Sequence, residues 1–73
     1  MTFRVWYKNG TARLVTASDA KEARGIAKEL AEVAATDLSI AYGKAKATNP
    51  DRAKELAAEY VGCTVITKVE PLS

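Results

Sequence analysis

The side chains that ordinarily carry catalysis are scarce in this chain. It has no histidine and one cysteine, Cys63, so the usual imidazole base is missing and a nucleophilic thiol has no such base to activate it. A zinc centre built from Cys and His ligands is excluded on the same ground, and one cysteine cannot close an intramolecular disulfide. Gly43-Lys44 carries the Gly-Lys pair of a phosphate-binding loop, but lacks that loop's glycine spacing and the Ser or Thr after the lysine. Glu22, Glu29, Glu32, Glu55 and Glu59 fall on helical polar positions among Lys and Arg neighbours, which accounts for them without a catalytic pair. The sequence therefore points away from an enzyme, and toward a chain with neither cofactor nor small-molecule substrate.

One cluster stands apart. The only Trp of the chain, Trp6, lies among Arg4, Lys8 and Arg13 in "FRVWYKNGTARLV". Residues 2–8 alternate apolar and polar and are rich in β-formers, so they are expected to be a strand. Asn9-Gly10 is a strong hairpin signal, and residues 11–17 return as the second strand. A two-residue turn would set Lys8 opposite Thr11, and hence Tyr7 opposite Ala12, Val5 opposite Leu14 and Phe3 opposite Thr16 on the core face. The other face would then pair Trp6 with Arg13 and Arg4 with Val15. At the C-terminal end, "CTVITKVEPL" is expected to be the last strand, with Cys63, Val65, Thr67 and Val69 inward and Ile66, Lys68 and Glu70 outward. The uncovered sheet face would thus carry Arg4, Trp6, Lys8, Arg13, Val15, Ile66 and Lys68.

The elements that must hold this face are helical. "SDAKEARGIAKELAEVAA" is amphipathic, with Ser18 or Asp19 as its cap and Asp19 and Glu22 at capping-box spacing. Its apolar stripe of Ala20, Ala23, Ile26, Ala27, Leu30, Val33 and Ala34 is thin, which suits a helix lying close to a sheet. Gly25 falls opposite that stripe, either as drift or where a partner backbone comes close. Residues 36–48 alternate at Leu38, Ile40 and Tyr42 like a short strand. They also continue the helical stripe through Ala34, Leu38, Ala41 and Ala45, and their alanine content predicts helix, with Thr36-Asp37 as a kink or a new cap. Asn49-Pro50 starts a further helix with Ala53, Leu56, Ala57 and Tyr60 as its stripe, and Gly62 fits the left-handed residue after its end.

Seventy-three residues make one domain, residues 1–73. The expected fold is an α+β two-layer sandwich, order ββα(α)αβ. In it two or three helices pack on one face of a mainly antiparallel sheet of three strands, or four if 38–42 is a strand. No apolar run approaches the ~18 residues of a membrane span. The N-terminal residues do not read as a secretory signal, and a lone cysteine fits a reducing compartment, so the cytoplasm is the expected location. Eleven Lys and Arg against nine Asp and Glu give a net charge of +2, too small on its own to announce nucleic acid.

The Trp6 face can be a solvated sheet surface, with cation–π contact and arginine stems covering the ring. As a contact site, it has the Trp and Arg that dominate protein interfaces. The expected partner is a protein, either a host protein or a second copy of the chain. Single-stranded nucleic acid stacking on Trp6 is the alternative. The stretch "TARLVTASDAKEARGIAKEL", followed much later by "GCTVITKVEPL", resembles small phage- or prophage-encoded accessory proteins of the anti-CRISPR and host-inhibitor type. That resemblance implies a compact, cofactor-free domain that blocks a host protein by occupying a surface.

Overall fold

The computed structural model describes residues 1–72. Strand β1 (Thr2–Tyr7) and strand β2 (Ala12–Thr16) form the hairpin. Helices α1 (Ala20–Ala34), α2 (Thr36–Thr48) and α3 (Pro50–Thr64) follow, and strand β3 (Ile66–Pro71) closes the chain. The sheet is antiparallel throughout with order β2-β1-β3, so the first strand is central, and α1 with the end of α3 covers one side. This is the α+β, ββαααβ layout that the sequence predicts, with residues 36–48 resolved in favour of helix.

The hairpin loop is one residue longer than a two-residue turn. The Gly10 N–H donates to the Tyr7 carbonyl at 3.0 Å, and the Tyr7 N–H donates to the Thr11 carbonyl at 2.8 Å. Only Gly10 takes positive φ, at 88°. A type I′ turn needs positive φ at Asn9 as well, whereas a three-residue loop ending on one left-handed glycine does not. Asn9 keeps an ordinary backbone because its side chain has another use. Its Oδ1 accepts from the Thr11 N–H at 3.0 Å and from the Thr11 hydroxyl at 2.7 Å.

The register is therefore Thr2 with Thr16, Phe3 with Val15, Arg4 with Leu14, Val5 with Arg13 and Trp6 with Ala12. A one-residue slip turns every side chain of a strand to the opposite face. Val15 consequently enters the core, and Leu14 turns outward.

On the other side of β1, Arg4 pairs with Glu70, Val5 with Val69 and Trp6 with Lys68, but Tyr7 pairs with Ile66. The irregularity leaves Thr67 as an extra residue, a β-bulge, with its hydroxyl 3.4 Å from the Trp6 carbonyl. Beyond the bulge Lys68 and Glu70 point outward as expected, while before it Ile66 is swung into the core. Cys63 and Thr64 belong to the last turn of α3, not to the strand. Gly62 likewise sits inside that helix without positive φ. Its carbonyl accepts the Asn9 N–H at 2.9 Å, and a Cβ added to it would stand 3.4 Å from the Asn9 Cβ. The Gly62 carbonyl thus ties the hairpin tip to the end of α3.

The main core lies between the sheet and α1. Phe3, Val5, Tyr7, Val15, Ala17 and Ile66 meet Ala23, Ala27 and Ala31, with Ile26 and Val69 packed at its margin. The buried line on α1 steps by four residues, Ala23-Ala27-Ala31, and continues to its C-cap Ala35, so along this line the helix puts only methyl groups toward the sheet. Ala20, Leu30, Val33 and Ala34, expected on this stripe, are exposed. The Tyr7 hydroxyl donates to the Ala27 carbonyl at 2.8 Å, which satisfies the one polar group that β1 sends into the core. The α1 cap is Asp19, whose Oδ1 accepts the Glu22 N–H at 2.8 Å.

Helix α2 continues away from the sheet. It touches α1 only around the junction at Ala35 and makes no contact with a strand. At that junction the Thr36 hydroxyl donates to the Val33 carbonyl at 2.8 Å, a side-chain bond that competes with the helical ladder. Residues 20–48 at ~1.5 Å per residue would span roughly 43 Å as one helix, and the longest dimension of the molecule is 47 Å. Helix α3 starts at the far end, capped by Asn49 and Pro50, and runs back along α2. A small second core of Ala45, Ala53 and Leu56, with Leu38 and Ala41, joins the two. Among the described residues no helix is long and apolar enough to cross a membrane.

Candidate functional site

The sheet face away from the helices is built by residues of alternate parity. Central strand β1 presents Arg4 and Trp6. Strand β2 presents Ala12, Leu14 and Thr16, and β3 presents Lys68 and Glu70. Of the seven residues predicted to share this face, Arg4, Trp6 and Lys68 do so, and Lys8 is exposed in the turn at its hairpin end. The other three are corrected by the register and the bulge. Val15 and Ile66 are buried at 5% and 9% exposure. Arg13 lies on the helix side, opposite Val5.

Loss of Arg13 and Val15 changes the chemistry of the face. Trp6 has Ala12 on one side and Lys68 on the other, and Leu14 stands diagonal to it at 63% exposure. An aromatic ring on the central strand and a bare leucine on the neighbouring edge strand thus lie side by side on the surface. The cation over the ring is Arg4 from the same strand, with Cζ 5.8 Å from the ring centroid, rather than Arg13 from across the hairpin. Arg4 and Lys68 each approach a Glu70 carboxylate oxygen at 3.4 Å. Exposed pairs of this kind contribute little to stability, about 0–1 kcal/mol. They do lower the field of the face, because the one carboxylate cancels one of the two positive charges.

Leu14 is the residue that the sequence pattern misses. Its signal is present in principle: Asn-Gly followed by Thr suits a side-chain-braced three-residue loop as well as a two-residue turn, and the longer loop exposes Leu14.

The helix side carries a separate feature. Where α1 leaves the sheet, a groove of about 540 Å³ runs between Thr11, Ala12 and Arg13 on one wall and Ala31, Ala34 and Leu38 on the other. Arg13 Nε is buried there with no hydrogen-bond partner among the described residues. Cys63 also lines the groove, half-buried, with its thiol donating to the Tyr60 carbonyl at 3.4 Å. Gly25 is exposed on α1, and a Cβ there would meet nothing within 4 Å. Comparison with protein-family models, with curated proteins and with solved structures finds no match to this chain.

Proposed function

We propose that this chain is a non-catalytic protein-interaction domain that docks a protein on its open sheet face, with Trp6 and Leu14 as the apolar centre. Arg4, Glu70 and Lys68 form the polar flank, and Lys8 stands at the hairpin end. The observation that carries this reading is Leu14 bare beside the only Trp, on a face whose two cations share the Glu70 carboxylate. Tryptophan and arginine anchor protein interfaces, and an apolar centre ringed by polar groups is their usual anatomy. Single-stranded nucleic acid asks for the reverse, a basic groove with several stacking rings. The resemblance to phage-encoded inhibitors makes a host protein in the cytoplasm the partner class, and surface occlusion the mechanism.

A titration of labelled oligonucleotides at two salt concentrations tests the choice of partner. Binding should be no tighter than the ~10⁻⁴–10⁻⁶ M of non-specific contacts at physiological salt. It should also be insensitive to Trp6→Ala. Sub-micromolar binding that weakens with Trp6→Ala by the ~1–3 kcal/mol of a lost base stack would overturn the reading.

A further inference from the structure

The two edges of the sheet are not alike. On β3 the groups facing β1 belong to Lys68, Glu70 and Leu72, as the Leu72 N–H donating to the Thr2 carbonyl at 2.9 Å fixes the phase. The free edge therefore falls to Thr67, Val69 and Pro71. A bulge at Thr67 and a proline with no N–H close that edge to further pairing.

Edge strand β2 has neither device. The Tyr7–Thr11 bond and the Ala17 N–H donating to the Met1 carbonyl at 2.9 Å place the inward groups on Arg13 and Val15. Ala12, Leu14 and Thr16 then turn their N–H and C=O groups outward, where no strand among the described residues meets them. On the helix side of this same edge lies the groove with Arg13, which has no ion pair among the described residues. On the open side lies Leu14.

We infer that β2 is a strand-addition site that takes an extended segment of a partner protein bearing an Asp or Glu opposite Arg13, flanked by apolar residues on the Leu14 side. A strand added there repeats the two-residue alternation of β2. Its residue opposite Arg13 faces the groove, where a carboxylate supplies the partner that Arg13 lacks. The neighbouring residues of that strand face Leu14. A second copy of this chain fits less well. The β2 sequence Ala-Arg-Leu-Val-Thr contains a cation and no acid, so self-pairing would bring two unpaired guanidinium groups onto one face. The site shares Leu14 with the open face but not Trp6, and its demand for an acid opposite Arg13 stands without the docking proposal.

Selection of a random peptide library displayed on phage against the whole chain tests this, followed by amide hydrogen exchange with the best peptide bound. Enriched sequences should carry Asp or Glu between β-branched or apolar residues, and binding should protect the amides of Ala12, Leu14 and Thr16. Arg13→Gln, which removes the charge and the guanidinium but keeps a polar side chain, should weaken that peptide about tenfold, the scale of one charged hydrogen bond. Arg13→Glu, its fold verified by circular dichroism, should select Lys or Arg in place of the acid. Trp6→Ala should leave the binding unchanged, which separates this site from the open face. No enrichment, enrichment without an acid, or bound peptide that leaves those amides unprotected would overturn the inference. So would concentration-dependent protection of the same amides in the free protein, which would assign the edge to a second copy.

Discussion

Val15→Asp should lower the thermal midpoint of the protein steeply, whereas Leu14→Asp, one residue away, should leave it nearly unchanged. Val15 is 5% exposed and packs with Phe3 and Ala17 beneath α1, so a carboxylate there is buried without a partner. Such a charge costs about 3–5 kcal/mol. A 73-residue domain holds only roughly 4–11 kcal/mol in total. At 4–8 °C per kcal/mol for a domain of this size, the midpoint should fall by about 12–40 °C. Leu14 is 63% exposed, and an aspartate there reaches water, so its effect should stay within ~0.5 kcal/mol. Paired thermal melts read the difference directly. A two-residue hairpin turn would bury Leu14 and expose Val15, and would give the opposite order.

Ala27→Leu should be the most damaging substitution on the helix side. Ala27 is fully buried against the sheet, and its carbonyl receives the Tyr7 hydroxyl. Three added carbons have no space there and must push α1 off β1. Overpacking of this kind costs about 1–3 kcal/mol, and it strains the Tyr7 bond as well. The same change at Ala58, exposed on α3, should be silent within ~0.5 kcal/mol. Urea unfolding of the two variants checks this: equal midpoints would mean that α1 does not lie on the sheet at methyl distance.

That closeness was legible in part: Ala23 and Ala27 lie on the expected stripe and are buried, whereas Ala20, Leu30, Val33 and Ala34 of the same stripe are exposed and Ala31 is buried in their stead. The caps at Asp19 and Asn49, the central position of β1 and the continuation of the helical stripe through Leu38, Ala41 and Ala45 were legible as well. All of these but the central position of β1, which rests on pairing with β3 at the other end of the chain, are set by residues near one another in the sequence. The composition of the open face was not, since it hangs on two single-residue decisions. One is whether Asn9 adopts positive φ or leaves that to Gly10. The Thr11 contacts of its side chain favour the second, and all of β2 turns over as a result. The other is the bulge at Thr67, which turns Ile66 inward but leaves Lys68 and Glu70 where strict alternation puts them. The end of α3 escaped for a third reason. Gly62 looks like a helix stop, yet it serves the hairpin tip packed against it, and the helix runs on through Cys63 to Thr64.

The central claim is that the open face is a protein-docking surface centred on Trp6 and Leu14. Its most direct test is a photo-cross-linking residue installed at Leu14 and irradiated in the source cells, with and without Trp6→Ala. The account predicts a discrete protein adduct that disappears with Trp6→Ala while the variant stays folded by circular dichroism. Adducts to nucleic acid, or a protein adduct that persists when Trp6 is removed, would contradict it.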